Sequence, residues 1–162
     1  MVPAVTRRSL LAGVAAGTLL PLAGCAVEAP TRPFQPKHCP GKPDAVTPDS
    51  LAEWLPAFER AYTWNESLQW FETVRRQHPD AEPEMLSVHV PEPIIRTVDG
   101  GYLGWIDNVL ADAAYTRHLG SGSQRAEFDV SYFVSGTRFL RWPERRIDPR
   151  EVIYARRPVC DY

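Results

Sequence analysis

The chain has 162 residues and a formal net charge of −2 at pH 7, from 18 basic and 20 acidic side chains. This length suits one domain around one hydrophobic core. Nucleic-acid binding requires a concentrated basic face that neutralises phosphates. The balanced charge argues against such a face, and no nucleic-acid partner is expected.

An export signal is predicted at the N-terminus, over residues 1–24. Arg7 and Arg8 precede an uncharged, weakly apolar stretch, residues 9–21. That stretch is shorter than the roughly 20 residues that a membrane-spanning helix needs. Paired arginines before such a stretch are typical of twin-arginine signals, which a dedicated receptor reads.

A second short motif, Leu22-Ala23-Gly24-Cys25, follows the apolar stretch. It resembles a lipobox. With Arg7 and Arg8 it resembles the signals of twin-arginine-exported lipoproteins, a kind common in halophilic archaea. The resemblance covers residues 1–25 only. It implies that lipid on Cys25 anchors the mature protein at the extracytoplasmic side of the cell membrane.

Residues 25–46 are predicted to form a proline-rich tether. Their prolines are Pro30, Pro33, Pro36, Pro40 and Pro43. Such chain favours extended polyproline II, which rises about 3.1 Å per residue. The stretch from Ala26 to His38 would then span roughly 40 Å. One domain is expected over residues 47–162.

A long helix is predicted to begin at Thr47, an N-cap residue, with Pro48 at the first helical position. Pro56 predicts a kink or a division into two segments, and His78-Pro79 ends the pattern. Side chains at three- and four-residue spacing define its buried face. They are Leu51, Trp54, Leu55, Phe58, Ala61, Tyr62, Asn65 and Leu68.

Beyond the helix, from about residue 84 to 157, the apolar period changes to two, which predicts antiparallel strands. Pro91 and Pro93 break the first strand. Residues 104–115 also fit helical spacing, but their place between two turns favours a strand. The turn signals are Asp99-Gly100-Gly101, Gly120-Ser121-Gly122-Ser123 and Ser135-Gly136.

The predicted fold class is α+β: one long N-terminal helix packed on a curved antiparallel meander of about five strands. This order of elements resembles the cystatin-like and nuclear-transport-factor-like rolls. The resemblance is one of topology, and no motif accompanies it. Rolls of this kind host enzymes, inhibitors and binding modules alike, so the fold does not identify a function.

Three cysteines are present, Cys25, Cys39 and Cys160. With lipid on Cys25, the other two form an even pair in an exported protein, which favours a disulfide between Cys39 and Cys160. The alternative is two unpaired thiols. No metal site is expected, because His38 beside Cys39 supplies only two ligands of a closed zinc shell.

One group of polar side chains on predicted strands is a candidate site. It consists of His89, Asp107, Asp129 and Tyr132, which would converge in the concave face of the roll. An acid beside a histidine transfers protons when burial shifts its pKa. The alternation of Asp129 with Phe128 and Val130 favours instead a carboxylate that faces water.

Two further features of the helix have alternative interpretations. Trp64 and Trp70 fall off its apolar face, where they either mark a partner or carbohydrate surface or complete the core. Asn65-Glu66-Ser67 matches a glycosylation acceptor, although its position inside a helix favours a chance match.

The sequence favours a non-enzymatic binding or structural module, anchored in the membrane by its lipid, for a protein or carbohydrate ligand of unknown identity. No cofactor is expected. Two alternatives stay open. One is a small secreted hydrolase or isomerase with His89 or Asp107 as base. The other is a cystatin-like protease inhibitor.

Overall fold

The computed structural model describes residues 34–144 and 146–153, with 155, 157, 158 and 160. The predicted signal, with Arg7, Arg8, Leu22, Ala23, Gly24 and Cys25, lies outside the described residues. The described chain forms one helix and five strands, and the helix packs on one antiparallel sheet. The predicted α+β class is therefore confirmed. The elements are α1 (Pro48–Gln77), β1 (Glu82–His89), β2 (Ile94–Val98), β3 (Gly101–Arg117), β4 (Gly120–Val134) and β5 (Phe139–Trp142).

Helix α1 begins and ends where the sequence predicts. The Thr47 hydroxyl accepts a hydrogen bond from the Ser50 amide at 3.1 Å, and the Ser50 hydroxyl accepts one from the Thr47 amide at 3.0 Å. This reciprocal cap satisfies two amides that the helix itself leaves unpaired. The helix runs through Pro56 as a single element, so the predicted alternative of two segments is not observed. Buried Trp54 and Leu55, directly before the proline, hold that turn against the core.

The sheet is built around β3, which pairs with β4 on one side and with both β1 and β2 on the other. β2 pairs with Gly101–Trp105, and β1 pairs with Leu110–Thr116. Glu82, the first residue of β1, lies opposite Thr116. β1 and β2 thus lie end to end along one neighbour, separated at the predicted break around Pro91 and Pro93. Residues 104–115 are strand, as predicted.

The turns confirm most of the predicted signals. Asp99 and Gly100 connect β2 to β3, and Gly100 has a φ of 79°, a conformation that glycine adopts without steric cost. The reversal between β3 and β4 is displaced from its predicted place. It lies at His118 and Leu119, and residues 120–123 already belong to β4.

The inner face of the sheet, which we define as the face toward α1, carries the main core. Gly104 lies on it so close to the helix that an added Cβ would come within 2.6 Å of Leu55 Cδ1. Leu55, Ile106 and Val130 are fully buried there. Burial of each such side chain contributes about 1.5–3 kcal/mol. A second cluster, with Leu68, Phe71, Leu86 and Ala113, lies toward the helix C-terminus.

The outer face of the sheet, away from α1, is covered near β5 by the segment that follows this strand. The Ser131 hydroxyl donates to the Glu144 carbonyl at 2.6 Å and accepts from the Ile147 amide at 3.1 Å. The Arg150 guanidinium lies 4.6 Å from the centre of the Phe133 ring. These contacts explain why Ser131 and Phe133 are buried on a face that the helix does not touch.

The described part of the predicted tether, residues 34–46, lies against α1. The side-chain amide of Asn65 accepts from the Lys37 amide at 2.8 Å and donates to the Lys37 carbonyl at 2.9 Å. The Trp64 indole donates to the Gln35 carbonyl at 2.8 Å, and the Trp54 indole donates to the Pro40 carbonyl at 3.0 Å. Asn65 is buried and engaged in this way, which supports the interpretation of its glycosylation motif as a chance match.

The predicted disulfide between Cys39 and Cys160 is confirmed, with Cα atoms 6.0 Å apart. We expect Cys160→Ser to lower the free energy of unfolding by up to about 4–5 kcal/mol, because a loop of 121 residues opens in the unfolded chain. Urea unfolding of the oxidised protein and the variant measures the difference. Wild-type protein in reductant is the control and should match the variant. Equal midpoints in oxidised wild type and variant would contradict the expectation.

Candidate functional site

A buried ion pair joins α1 to β5. Glu59 of α1 is 0% exposed, and the side chain of Arg141 in β5 is 11% exposed. Arg141 Nε donates to Glu59 Oε2 at 2.9 Å, and Nη2 donates to Oε1 at 2.6 Å. This two-point geometry is the strong form of an arginine–carboxylate contact.

Two neutral donors complete the surroundings of Glu59. The Tyr132 hydroxyl donates to Oε2, and the Thr63 hydroxyl donates to Oε1 at 2.9 Å. Each carboxylate oxygen therefore accepts two hydrogen bonds, which is its usual capacity. A buried carboxylate is tolerated only when its lost hydration is replaced in this way.

The protonation states follow from this network. Burial raises the pKa of Tyr132 well above its ordinary value, and the charge of Glu59 acts in the same direction. Burial alone would lower the pKa of Arg141, but the hydrogen bonds to Glu59, the charge of Glu59 and the nearby tyrosines Tyr132 and Tyr62 together outweigh it, and the pKa is raised. Tyr132 thus stays a neutral donor and Arg141 stays a cation at physiological pH. The network carries no net charge.

The guanidinium of Arg141 also lies over the ring of Tyr62, 4.4 Å from its centre. Burial raises the pKa of Tyr62, and its hydrogen bond to Glu66 acts in the same direction against the opposing charge of Arg141. Tyr62 therefore sits between Arg141 and the exposed Glu66 and touches both.

Next to this pair is a cavity of about 180 Å³ between α1 and strands β3 and β4. Its lining combines four residues of α1, five of β3 and β4, and Arg141. They are Thr63, Glu66, Ser67, Trp70, Ala111, Ala113, Gln124, Ala126, Phe128 and Arg141. The volume is close to that of an engineered cavity of about 150 Å³ that binds benzene.

The sequence explains why space remains here. Ala111 pairs with Ala126, so two small side chains lie opposite each other on the inner face. β5 pairs only with Ser131–Val134, and so it does not extend alongside this part of β4. The helix cannot collapse onto the alanines because core clusters hold it on both sides of the cavity.

The cavity has apolar walls and polar groups at distinct positions. Trp70 and Phe128 supply aromatic surface. The hydroxyls of Thr63 and Ser67 are engaged, the first by Glu59 and the second by the Thr63 carbonyl at 2.9 Å. Glu66 is exposed, which places its carboxylate at the solvent side of the cavity.

The structure does not bring the predicted polar group together. Tyr132 is fully buried on the inner face, bonded to Glu59. Asp107 and Asp129 lie on the outer face: Asp107 pairs with Arg146 at 3.3 Å, and Asp129 accepts from the Asn108 amide at 2.8 Å. Side chains alternate along a strand, so Asp129 and Tyr132, three residues apart, must lie on opposite faces.

His89 is also separate from Tyr132. It is exposed at the end of β1, on the face opposite to the buried Leu86.

The two tryptophans differ in role: Trp64 is covered by residues 34–37, with Lys37 Nζ 3.7 Å from its ring, whereas Trp70 lines the cavity.

The described residues contain no group of three or more His, Cys, Asp or Glu side chains placed to hold a metal ion. In the same part of the chain, no helix has the length and apolar character needed to span a membrane. Comparison of the chain with protein-family models, with curated proteins and with solved structures finds no match.

Sequence reasoning missed Glu59 and Arg141, although a signal for the first was present. Leu51, Leu55, Glu59 and Thr63 follow one another at four-residue spacing, so Glu59 continues the stripe of two buried leucines. An acidic residue within an apolar stripe predicts a buried partner, because an unpaired buried charge is too costly.

We expect the Glu59–Arg141 pair to behave as one unit in a double-mutant cycle. Arg141→Met and Glu59→Leu should each destabilise by about 3–5 kcal/mol, because each leaves the other charge buried and unpaired. The double variant should lose less than the sum of the two. Urea unfolding of the four proteins measures the coupling. Asp148→Leu and Arg150→Met, which separate a surface pair, are the control cycle, with an expected coupling much smaller than that of the buried pair. Additive effects at Glu59 and Arg141 would contradict the assignment.

Proposed function

We propose that this protein is a lipid-anchored extracytoplasmic binding module, without catalysis, that holds a small ligand in the cavity between α1 and strands β3 and β4. The observation that carries the proposal is the cavity itself, a ligand-sized space with aromatic walls and two charged residues in its lining. This composition is typical of small-molecule binding sites.

The chemistry beside the cavity supports binding more than catalysis. Both oxygens of Glu59 are saturated by donors, so this carboxylate is not available to take a proton from a ligand. The raised pKa of Tyr132 disfavours its acting as an acid near neutral pH. The enzyme alternative relied on His89 or Asp107, whose strand positions face away from the cavity.

The anchor is supported by the paired arginines and the lipobox-like segment.

Location is tested by fractionating cells that express signal variants. Cys25→Ser should move the protein from the membrane fraction to the medium or leave it unprocessed, because stable anchoring depends on the acyl chains. Replacing Arg7 and Arg8 by lysine keeps the positive charge but should block export through a receptor that reads arginines. Lys37→Arg is the control. Processed, membrane-bound Cys25→Ser protein would refute the anchor, and normal export of the lysine variant would refute the twin-arginine route.

Ligand binding is tested with a variant that fills the cavity. Extracts of small molecules from the native medium should raise the melting temperature of the wild type by a few degrees, because a ligand that binds only the folded state stabilises it. Ala126→Leu should show no such shift, since the larger side chain occupies the space. Ala45→Leu, an exposed position before α1, is the matched control and should respond as the wild type does. An equal shift in wild type and Ala126→Leu, or none in either, would contradict a binding role for the cavity.

A further inference from the structure

One edge of the sheet is open over most of the length of β4. This strand extends from Gly120 to Val134, but β5 pairs only with Ser131–Val134. Within the described chain, residues 120–130 pair with β3 on one side and with no strand on the other. Alternate N–H and C=O groups of this segment therefore point away from the sheet, where a further strand can pair with them.

The opposite edge of the sheet is protected against such pairing. There β1 begins with Glu82, Pro83 and Glu84, and its register is irregular between Pro83 and Met85. Prolines, charges and bulges are the usual means by which proteins block an exposed edge. Residues 120–130 contain no proline, and the irregularity in their pairing with β3 places the extra residue in β3.

Two residues of the open edge carry opposite charges. Arg125 and Glu127 are exposed on the outer face, because Ala126 between them faces the cavity. Arg125 Nε lies 3.7 Å from Asp112 Oδ1 of β3, yet the Arg125 side chain remains 67% exposed. Within the described residues no ion pair involves Glu127. Two opposite charges at this spacing complement an antiparallel copy of the same strand.

From these features we propose that β4 pairs with β4 of a second copy of this chain, antiparallel, about a two-fold axis at Ala126. In this register Arg125 lies opposite the partner's Glu127, and Glu127 lies opposite the partner's Arg125, as the symmetry of a two-fold interface requires. The pairing covers residues 122–130, all within the open segment. The sheets of the two copies then form one continuous sheet.

Charge and side-chain alternation disfavour the neighbouring registers. An axis at residue 125 places Arg125 opposite its own copy, and an axis at residue 127 does the same for Glu127. Like charges directly opposite each other are destabilising. An axis between two residues sets the inner face of one strand against the outer face of the other. The axis at Ala126 is therefore the register that pairs opposite charges and keeps the faces aligned.

The proposed interface adjoins the cavity. Gln124, Ala126 and Phe128 of the open edge all belong to its lining. In the register centred on Ala126, the partner's Phe128 lies opposite Gln124 on the inner face, at the close distance of a cross-strand pair. The second copy therefore adds aromatic surface beside each of the two cavities.

The test measures self-association of the detergent-solubilised full-length protein by sedimentation velocity in density-matched detergent. The wild type should show a concentration-dependent equilibrium between monomer and dimer. Glu127→Arg should weaken the dimer at least about tenfold, because arginines then face each other on both sides of the axis. Arg125→Glu should act in the same way through facing glutamates. The double variant exchanges the two charges, keeps them complementary and should restore association.

A matched control and a second measurement accompany the variants. Glu84→Arg makes the same charge change on the protected edge and should leave the dimer as in the wild type. Amide hydrogen exchange of the wild type needs no substitution: residues 122–130 should exchange more slowly at high protein concentration, whereas β1 should not change.

Three results would overturn the proposal. The first is a wild type that stays monomeric at every concentration. The second is a double variant that associates no better than either single variant. The third is a dimer that forms without slower exchange in residues 122–130.

Discussion

The fold depends on one buried carboxylate and on the hydrogen bonds that replace its lost hydration. Glu59 lies inside the layer between α1 and the sheet, and its four hydrogen bonds come from α1 itself, β4 and β5. Hydrophobic contacts tolerate small slides of a helix on a sheet, but a saturated carboxylate does not, because a shift of one turn would leave charges on both sides without partners. The pair therefore fixes the position of α1 along the sheet, while Leu51 and Leu55 supply the burial energy.

This fixed position explains why a cavity persists in a domain of this size. Well-packed interiors close most voids. Here α1 is held at one end by the cluster around Leu55 and at the other by the cluster around Phe71, and Ala111 and Ala126 belong to neither cluster. Closing the space would require moving α1 relative to Arg141, which holds the helix through Glu59. The same arginine thus fixes the helix and forms part of the cavity wall, so a ligand bound there would contact a group on which stability also depends.

Local sequence patterns predicted the helix and the strands. They did not predict contacts between residues that are distant in sequence. The helix cap at Thr47 and the strands with period-two patterns are specified by residues close together in sequence, so the sequence alone predicts them. Glu59 and Arg141 are 82 residues apart, and with 18 basic residues in the chain nothing local selects the partner. Residues 34–46 have a composition that predicts an extended tether. Their contact with the domain depends on donors from α1, chiefly Asn65, that composition cannot show.

The disulfide and the proposed export route constrain each other. Twin-arginine receptors take folded cargo, and cytosolic thiols stay reduced. Under that route the domain must reach its fold without the bond between Cys39 and Cys160. The contacts that bring the two cysteines together are independent of it: Asn65 holds the backbone of Lys37 against α1, and its amide lies 3.7 Å from Cys160 Sγ. Under the proposed route, packing and the Asn65 contacts would position the thiols first, and oxidation after export would then fix an arrangement that already exists.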